Sequence, residues 1–187
     1  MGGAPAATDP VILGDLVLTP VDVGDLPETH RLHADPAVWT HLPSGRHTSL
    51  ARTREMIEHY IADWDHGLGY WTARLRDTGA YVGIGGCRVR EDAVWNVYYR
   101  LDPAFQGRGL ATRIARAGAE RAAAVRPDLP VSAILLEHNL ASKAVAERLG
   151  LRLVWRGPDD GNPDPGAVRL IYTDRDVTPA QLAVLRG

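Results

Sequence analysis

The sequence predicts a single α/β domain of the α+β kind, in which a mixed and mostly antiparallel sheet of about seven strands carries helices on both faces. Three observations lead to this prediction. The 187 residues are 45% hydrophobic and 24% charged, which suits one globular domain. Strand-like and helix-like patterns alternate along the whole chain. Three successive strand patterns are separated only by short turns, which favours antiparallel pairing.

Strand segments are recognised by alternating or continuous apolar residues between turn residues. The predicted strands are, in chain order, residues 16–21, 70–75, 81–89, 93–101, 131–136, 151–156 and 168–174. Residues 131–136 are almost continuously apolar, as in a strand that is covered on both faces. The second, third and fourth strands follow one another through short polar turns, so we expect them to form an antiparallel meander.

Helical segments are recognised by apolar residues at three- and four-residue spacing and by their start and stop signals. The predicted helices are residues 25–34, 49–67, 110–125 and 139–150, with one further short helix near Pro179. Pro27 suits the first turn of the first helix, and Ser49 caps the second. Pro127 ends the third helix, and Gly150 is a natural C-terminal cap for the fourth.

Composition excludes several classes of function. The formal net charge is −2, so nucleic-acid binding through bulk positive charge is not expected. The single cysteine, Cys87, cannot form a disulfide within the chain, and no apolar run approaches the about 20 residues that span a bilayer. We therefore expect a cytoplasmic protein with no membrane partner. Residues 1–10 are rich in Gly, Ala and Pro, so we expect a flexible tail before a single domain at residues 11–187.

The most informative segment is the turn at residues 106–111, Gln-Gly-Arg-Gly-Leu-Ala, between a strand end and a helix start. Gly107 and Gly109 let several backbone N–H groups converge, and the first turn of the helix adds partial positive charge. This combination is typical of a phosphate or pyrophosphate site. A tight turn without a ligand gives the same pattern, so the turn alone leaves both interpretations open.

The usual nucleotide motifs do not fit this chain. The P-loop pattern G-x-x-x-x-G-K-[ST] is absent, and Thr112 stands where a dinucleotide-binding turn beginning at Gly107 would need Gly or Ala. A second glycine run, at residues 83–86, lies inside a strand pattern, where glycines mark a bulge or close packing. A phosphate at residues 106–111 would therefore belong to another class of ligand.

Three motifs in order and spacing resemble the GNAT superfamily of N-acetyltransferases. They are Tyr-Arg-Leu-Asp-Pro at residues 99–103, the turn at residues 106–111, and Asn139-x-x-Ser142 followed by Ala-Glu-Arg-Leu-Gly-Leu at residues 146–151. The resemblance covers residues 11–174 and is greatest to the branch related to ribosomal-protein N-terminal acetyltransferases. It implies a sheet splayed in the middle and acetyl-coenzyme A as the acyl donor.

The resemblance also implies which residues bind the coenzyme. In this family the strand before the turn bulges and separates from the next strand, and the pantetheine arm lies along it like an added strand. The implied coenzyme-binding residues are Tyr99, Arg100, Leu101, Gln106, Gly107, Arg108, Gly109, Leu110, Ala111, Asn139 and Ser142. Backbone N–H groups of the turn would hold the pyrophosphate. Arg108, Arg113 and Lys143 are candidates for the ribose phosphate, or are charged residues of a solvated helix face.

Acyl transfer from a thioester to an amine needs support for the oxyanion and a proton for the leaving thiolate. A backbone N–H near Tyr99 or Arg100 is the candidate for the oxyanion. Ser142 is the first candidate for the thiolate, because it lies one turn after Asn139, where the resemblance to the related branch implies a serine. The tyrosine that many family members carry further along this helix is absent near Val145 and Ala146. The alternative is that Ser142 is only a helix-surface or capping hydroxyl.

The amine must also lose a proton. The glutamate often seen in the strand before the turn corresponds here to Asn96, which cannot accept one. Glu137 and His138 follow the apolar strand and are the candidates for the base, directly or through water. The alternative is that both residues only end a strand and that the amine loses its proton to bulk water.

We expect the acceptor to bind to the segments that vary freely in this fold. They are the loop after the first helix, the second helix and the loop at residues 157–166. Trp39, Trp71 and Tyr98, with Trp64, are candidates for the wall of an acceptor pocket, although large aromatic residues also fill cores. The loop at residues 157–166 contains Asp159, Asp160 and Asp164, which would suit a cationic amine or are ordinary turn residues beside Pro and Gly. No metal is expected, because the sequence offers no second ligand pair beside His30 and His33, nor is Cys87 expected to act as a nucleophile.

The predicted function is therefore an acetyl-coenzyme A-dependent N-acetyltransferase that moves an acetyl group to a primary amine by direct attack in a ternary complex. The acceptor is a small molecule or a peptide N-terminus. The alternative is a non-catalytic acyl-coenzyme A sensor or scaffold, which Asn96 and the missing tyrosine motivate. A third hypothesis keeps the reaction and changes the acyl group. Related folds often form dimers, so a homodimer also agrees with the resemblance.

Overall fold

The computed structural model describes residues 9–187, which form one sheet with α-helices on both faces. The strands are β1 (Val11–Leu13), β2 (Leu16–Pro20), β3 (Tyr70–Leu75), β4 (Tyr81–Arg90), β5 (Val94–Leu101), β6 (Val131–Leu136), β7 (Arg152–Pro158) and β8 (Val168–Thr173). The α-helices are α1 (Leu26–Ala34), α2 (Leu50–Ala62), α3 (Leu110–Val125), α4 (Leu140–Arg148) and α5 (Pro179–Arg186). Short 3₁₀ helices lie at Val23–Asp25, Pro36–Trp39, Pro43–Gly45, Asp63–His66 and Pro103–Phe105.

The sheet has eight strands in the order β1-β2-β3-β4-β5-β6-β8-β7. Every neighbouring pair is antiparallel except β5 and β6, which are parallel. This confirms the mixed, mostly antiparallel sheet and adds β1 to the predicted strands. β1 was missed because three residues are too short to show a period of two. The expected tail at residues 1–10 lies outside the described residues except for its last two.

Helix boundaries follow the capping signals of the sequence. The side chain of Ser49 accepts a hydrogen bond from the Arg52 N–H at 3.3 Å and begins α2. The helix ends at Ala62, earlier than predicted, because its last turn tightens into the 3₁₀ helix Asp63–His66. Gly67 then ends this 3₁₀ helix with φ +88°, a conformation that favours glycine.

The two parallel strands pair only where they begin. Trp95 lies opposite Val131 and Asn96 lies opposite Ser132, and no later residues of β5 and β6 are paired. The strands therefore separate toward the carboxyl end of β5, which confirms the splayed sheet.

The expected bulge in β5 is wrong. β5 pairs with β4 in unbroken register, from Leu101 opposite Gly83 to Val94 opposite Arg90. The register shifts between described strands lie in the pairs β3–β4 and β7–β8 instead. Divergence from β6 alone therefore opens the sheet beside β5.

Side chains alternate along β5 between two cores, because successive residues of a strand point to opposite faces. Val97, Tyr99 and Leu101 join the larger core, to which α3 and α4 contribute. Tyr98 packs against the smaller core, which includes residues of α1 and α2. Helices therefore cover both faces of the sheet, as predicted.

The glycine run at residues 83–86 allows α3 to lie very close to the sheet. A Cβ atom on Gly118 would lie 2.7 Å from the carbonyl carbon of Gly86, and one on Gly85 would lie 2.9 Å from Ile114 Cγ2. This confirms close packing as the reason for the run. Within the described part of the chain, no helix is both long and apolar enough to cross a membrane.

Candidate active site

A cleft of about 990 Å³ opens where β5 and β6 separate. Its walls come from the ends of these strands, the turn at residues 106–111, the start of α4 and the segment between α1 and α2. Cavities of roughly 300 to 1,000 Å³ are typical of small-molecule and cofactor sites. The coenzyme-binding residues that the resemblance implies all line this cleft except Arg108, whose guanidinium lies 5.6 Å from the Phe105 ring.

The turn at residues 106–111 presents an open backbone. Gly107 and Gly109 have φ values of +72° and +75°, and a Cβ atom at either would meet nothing within 4 Å. The Arg113 N–H donates to the carbonyl of Gly109 at 3.2 Å and makes the first hydrogen bond of α3. Among the hydrogen bonds of residues 9–187, none uses the N–H groups of residues 107–112. These donors, at the positive end of a helix, are free to bind an anion.

The side chain of Gln106 joins the turn to β5. Its side-chain Nε2 donates a hydrogen bond to the Leu101 carbonyl at 3.0 Å. The bond ties the start of the turn to the end of β5. The glutamine of the motif therefore positions the backbone donors that follow it.

The hydrogen-bonding direction of β5 decides which backbone groups face the gap. The Asp102 N–H donates to the Val82 carbonyl on β4, whereas the Trp95 N–H donates to the Pro130 carbonyl beside β6. Because antiparallel pairing alternates, the backbone groups of Arg100 face β4 and those of Tyr99 and Leu101 face the gap. The backbone role expected of Arg100 is therefore wrong, and Tyr99 has the N–H that points toward the cleft.

The side chain of Tyr99, on β5, reaches across the cleft to the start of α4, where Asn139 and Ser142 lie. Asn139 caps α4, since its Oδ1 accepts from the Ser142 N–H at 3.1 Å. The Tyr99 hydroxyl donates to the Ser142 carbonyl at 3.1 Å. Burial raises the pKa of Tyr99 to about 12, so the phenol stays protonated. Asn139 Nδ2 and the Ser142 hydroxyl have no partner within residues 9–187 and remain available to a ligand.

Two histidines from different segments meet at the cleft. His138 Nε2 donates to the backbone carbonyl of His41 at 2.8 Å, and both residues line the cleft. The ring of His138 therefore keeps Nδ1 as its proton acceptor. Burial, the nearby Arg100 and then His138 lower the pKa of His41. Sequence reasoning missed His41, because a lone loop histidine after Trp39 forms no motif.

Glu137, the other candidate base, does not line the cleft. Its carboxylate accepts two hydrogen bonds from Arg156 on β7, at 2.7 and 2.9 Å. The bond to Arg156 lowers the pKa of Glu137 and makes it a weaker base. The structure therefore does not bring Glu137 to the site.

Most of the expected aromatic wall lies in the cores. Trp71 is 1% exposed and belongs to the larger core, and Trp64 packs against the same core. Trp39 is 7% exposed, and the guanidinium of Arg100 lies 3.4 Å from the centroid of its ring. These assignments to the acceptor pocket are wrong, because burial of large rings in the core outweighed exposure at the cleft. Tyr98 alone of the four lines the cleft.

Two charged residues near the cleft, Asp159 and Arg113, are paired. Asp159 lines the cleft but forms an ion pair with Arg169, so it offers little attraction to a cationic amine. Arg113 pairs with Asp15 at 2.7 Å, which lowers the pKa of Asp15. A second cavity of about 540 Å³ beside the turn is lined by Arg113 and further arginines of α3 and α4. Lys143 lines neither cavity.

Metal and thiol chemistry find no support at this site. No group of three or more His, Cys, Asp or Glu side chains among the described residues could hold a metal ion. Cys87 is fully buried in the larger core, and burial raises its thiol pKa, so it is a poor nucleophile.

An open glycine turn at a helix N-terminus, beside a gap in a mixed sheet, is the architecture of an acyl-coenzyme A-dependent transferase. The family described as "Acetyltransferase (GNAT) domain" matches residues 15–152. The chain therefore belongs to the GNAT acetyltransferases, as the sequence motifs indicated, and it is an enzyme of acetyl transfer.

Solved structures share this fold at low sequence identity. An acetyltransferase from Agrobacterium tumefaciens str. C58 has a TM-score of 0.72 at 23% identity, covering 94% of this chain and 99% of that one. RimL, a ribosomal L7/L12 alpha-N-protein acetyltransferase in complex with coenzyme A, has a TM-score of 0.74 at 22% identity, covering 90% and 100%. The microcin C7 self-immunity acetyltransferase MccE, in complex with acetyl-CoA and AMP, has a TM-score of 0.69 at 14% identity, covering 88% and 93%. A comparison with curated protein sequences found no match.

Proposed function

We propose that this chain is an acetyl-coenzyme A-dependent N-acetyltransferase that transfers an acetyl group to a primary amine by direct attack in a ternary complex. The observation that carries the proposal is the open turn at residues 106–111 at the mouth of the cleft. The six unused N–H groups of residues 107–112, in the turn and the first turn of α3, offer a diphosphate site, and no side chain fills the space above the two glycines. Coenzyme complexes of RimL and MccE on the same fold support this choice of donor.

The gap between β5 and β6 suits the arm of the coenzyme. The backbone groups of Tyr99 and the N–H of Leu101 face this gap, so an extended arm could pair with β5 as an added strand. Asn139 Nδ2, on the opposite wall, is the matching side-chain donor. The thioester would then lie near Tyr99 and Ser142, which the hydrogen bond between them holds together.

The reaction needs one bond formed and one broken. The amine nitrogen attacks the acetyl carbonyl carbon, and the carbon–sulfur bond then breaks. The Tyr99 N–H is the donor proposed for the oxyanion, because fixed dipoles stabilise it without reorganising. The Ser142 hydroxyl is the donor proposed for the sulfur, and it regains its proton from water.

The attacking amine must be neutral, and His138 is the base proposed for this step. Its Nδ1 is free to accept a proton because Nε2 donates to the His41 carbonyl. The distance from His138 to the amine depends on the acceptor. Where the amine lies too far for direct transfer, a water molecule between them can carry its proton to His138. The alternative is loss of the proton to bulk water before binding.

The acceptor class proposed is a primary amine of a small molecule or of a peptide N-terminus. RimL is named for acetylation of a ribosomal protein alpha-amino group, which supports the peptide alternative. MccE was solved with AMP, which supports a small-molecule alternative. Both agree with a cleft that opens between the segment joining α1 to α2 and the end of β6.

Release of free thiol in the presence of acceptors tests the function. Acetyl-coenzyme A is mixed with the protein and a panel of small amines and N-terminal peptides, and coenzyme A thiol is measured against a no-enzyme control. We expect release with a subset of acceptors, and mass spectrometry shows the acetylated product. Tight coenzyme binding with no release across the panel would support the sensor alternative. Competition among acetyl-, propionyl- and succinyl-coenzyme A shows which acyl group the protein transfers.

A further inference from the structure

Arg100 enters the cleft from the face of the sheet opposite the coenzyme turn. Its backbone pairs with β4, and its side chain lies on the same face as Tyr98, toward α1 and α2. Tyr99 and Leu101 face the other side, where α3 and the turn lie. The Arg100 guanidinium therefore meets the acceptor half of the cleft, away from the diphosphate donors.

Three contacts fix the position of the guanidinium. Nε donates to the Tyr98 hydroxyl at 2.7 Å, and Nη1 donates to the Val38 carbonyl at 3.3 Å. The planar group stacks on the Trp39 ring with 3.4 Å to its centroid. Such stacking immobilises an arginine without neutralising its charge. Nη2 keeps both of its N–H groups without a partner among residues 9–187.

A buried histidine orients the residue that holds Arg100. His33 is fully buried, and its Nδ1 donates to the Thr29 carbonyl at 2.9 Å. Burial, with Arg100 nearby, lowers the pKa of His33 to about 3, so the ring is neutral and Nε2 is an acceptor. The Tyr98 hydroxyl lies 3.2 Å from Nε2 and donates to it, which leaves its oxygen to accept from Arg100. Each donor in this chain therefore has one acceptor, from Arg100 to Tyr98 and from Tyr98 to His33. The chain holds the guanidinium in one orientation.

Arg100 has no carboxylate partner. Among the ion pairs of the described residues none includes it, and Asp159, the acidic residue that lines the cleft, is already paired with Arg169. A half-buried cation without a counter-ion is costly unless a ligand supplies the charge. A carboxylate matches the planar fork of a guanidinium, because its two oxygens can accept from two N–H groups.

Resting on the proposed function, we infer that Arg100 binds a carboxylate of the acceptor and thereby selects amines that carry one. The acceptor class is then an amino-carboxylate, either a small amino acid or a peptide with an acidic residue close to its N-terminus. Arg100 acts as a specificity-determining residue. Tyr98 and His33 act as positioning residues for it.

Matched acceptor pairs test this inference. Amino acids and ω-amino acids are compared with their carboxamides, and peptides with Asp or Glu in the second or third position with their Asn or Gln counterparts. The first set tests small-molecule acceptors, and the second set tests peptide acceptors. Turnover and binding to the coenzyme-loaded protein are both measured, the latter by calorimetry. Arg100→Gln and Arg100→Lys are compared with Arg152→Gln, a control at an exposed arginine on β7.

We expect the carboxylate member of at least one pair to bind and react about tenfold better in the unaltered protein, because the carboxamide cannot form the charge-assisted hydrogen bond. Arg100→Gln should abolish this preference, because turnover of the carboxylate member falls about tenfold more than turnover of its carboxamide. Arg100→Lys should keep part of the preference. Arg152→Gln should keep all of it.

Two results would overturn the inference. One is equal binding of carboxylates and carboxamides by the unaltered protein across all pairs. The other is an equal loss of both members in Arg100→Gln, which would assign Arg100 to holding the segment around Val38 in place. Calorimetry separates this inference from the proposed function, since carboxylate binding that depends on Arg100 without any thiol release would contradict only the latter.

Discussion

The Tyr99 hydroxyl and the Ser142 carbonyl are joined by a hydrogen bond of 3.1 Å that crosses the gap in the sheet. Tyr99 lies on β5, and Ser142 lies in the first turn of α4. β5 separates from β6 at this point, and α4 follows β6 in the chain. The contact between Tyr99 and Ser142 therefore fixes the width of the cleft beside the proposed thioester position. Burial raises the pKa of the phenol to about 12, so the hydroxyl remains a donor in alkaline solution as well as at neutral pH.

Tyr99→Phe removes this hydrogen bond and leaves the Ser142 carbonyl without its partner. We expect the free energy of unfolding to fall by about 1 to 2 kcal/mol. The KM for acetyl-coenzyme A should rise about three- to tenfold, because the two walls are no longer tied. Urea denaturation and steady-state kinetics measure these effects. Tyr172→Phe is the control, since Tyr172 is a buried residue whose hydroxyl forms no hydrogen bond in the described structure. Unaltered kinetics in Tyr99→Phe would contradict the prediction.

Ser142→Ala removes the proposed proton donor for the leaving thiolate. We expect kcat to fall by about 100-fold, because a positioned acid contributes roughly 100- to 10,000-fold. The affinity for acetyl-coenzyme A should change by less than about threefold, since the Ser142 backbone keeps its bonds to Asn139 and Tyr99. Single-turnover kinetics and calorimetry measure the two quantities. A fall in affinity with unaltered kcat would assign the hydroxyl to coenzyme binding alone.

His33 makes stability depend on pH. Its folded pKa of about 3 lies below the ordinary value of 6.5, so the unfolded chain binds the extra proton. The stabilisation is complete above pH 6.5 and is lost progressively as pH falls toward 3. Between about pH 7.5 and pH 5 this one group should account for about 2 kcal/mol.

The variant His33→Gln isolates this contribution. Its unfolding free energy should change about 2 kcal/mol less between these two pH values than that of the unaltered protein. The measurement is urea denaturation at both pH values. His59→Gln, at an exposed position on α2, should keep the full pH dependence. An unaltered pH dependence in His33→Gln would show that the ring is not held neutral.

Gly118→Ala tests the close approach of α3 and β4. Alanine favours an α-helix by about 1 kcal/mol over glycine, yet the new Cβ would lie 2.7 Å from a carbonyl carbon of β4. Backbone atoms cannot move aside cheaply, so we expect a net destabilisation of about 1 to 3 kcal/mol. Thermal unfolding measures it. Ala123→Ser, at an exposed position on the same helix, should change stability by less than about 0.5 kcal/mol, and a stabilised Gly118→Ala would contradict the packing described.

The sequence predicted those elements whose signals are local. Periodicity and caps located the α-helices and most strands, and the glycine turn at residues 106–111 has the open geometry expected of it. The separation of β5 from β6 was predicted from the family resemblance and not from a local pattern. The bulge carried over with it was wrong, because pairing between β4 and β5 continues to Leu101.

Side-chain direction could not be predicted. Trp71 and Trp39 pack into cores, and Glu137 turns to Arg156, because long-range packing and pairing decide these orientations. The roles of His41 and the Arg100 side chain depend on contacts between segments more than fifty residues apart. No local pattern encodes such contacts.

Coenzyme binding to Gly109→Trp tests the account most directly. Gly109 has φ +75° and open space above it, so a tryptophan would occupy the place proposed for the diphosphate. Gly79→Trp is the matched control, because Gly79 has φ +69°, meets nothing within 4 Å and lies in the turn between β3 and β4. Both variants carry the same backbone strain of about 1 to 2 kcal/mol.

The measurement is calorimetric titration of each folded variant with acetyl-coenzyme A. We expect Gly109→Trp to raise the Kd at least about 100-fold, a loss of about 2.7 kcal/mol, and Gly79→Trp to bind within about twofold of the unaltered protein. Coenzyme binding by Gly109→Trp with unaltered affinity would contradict the central claim.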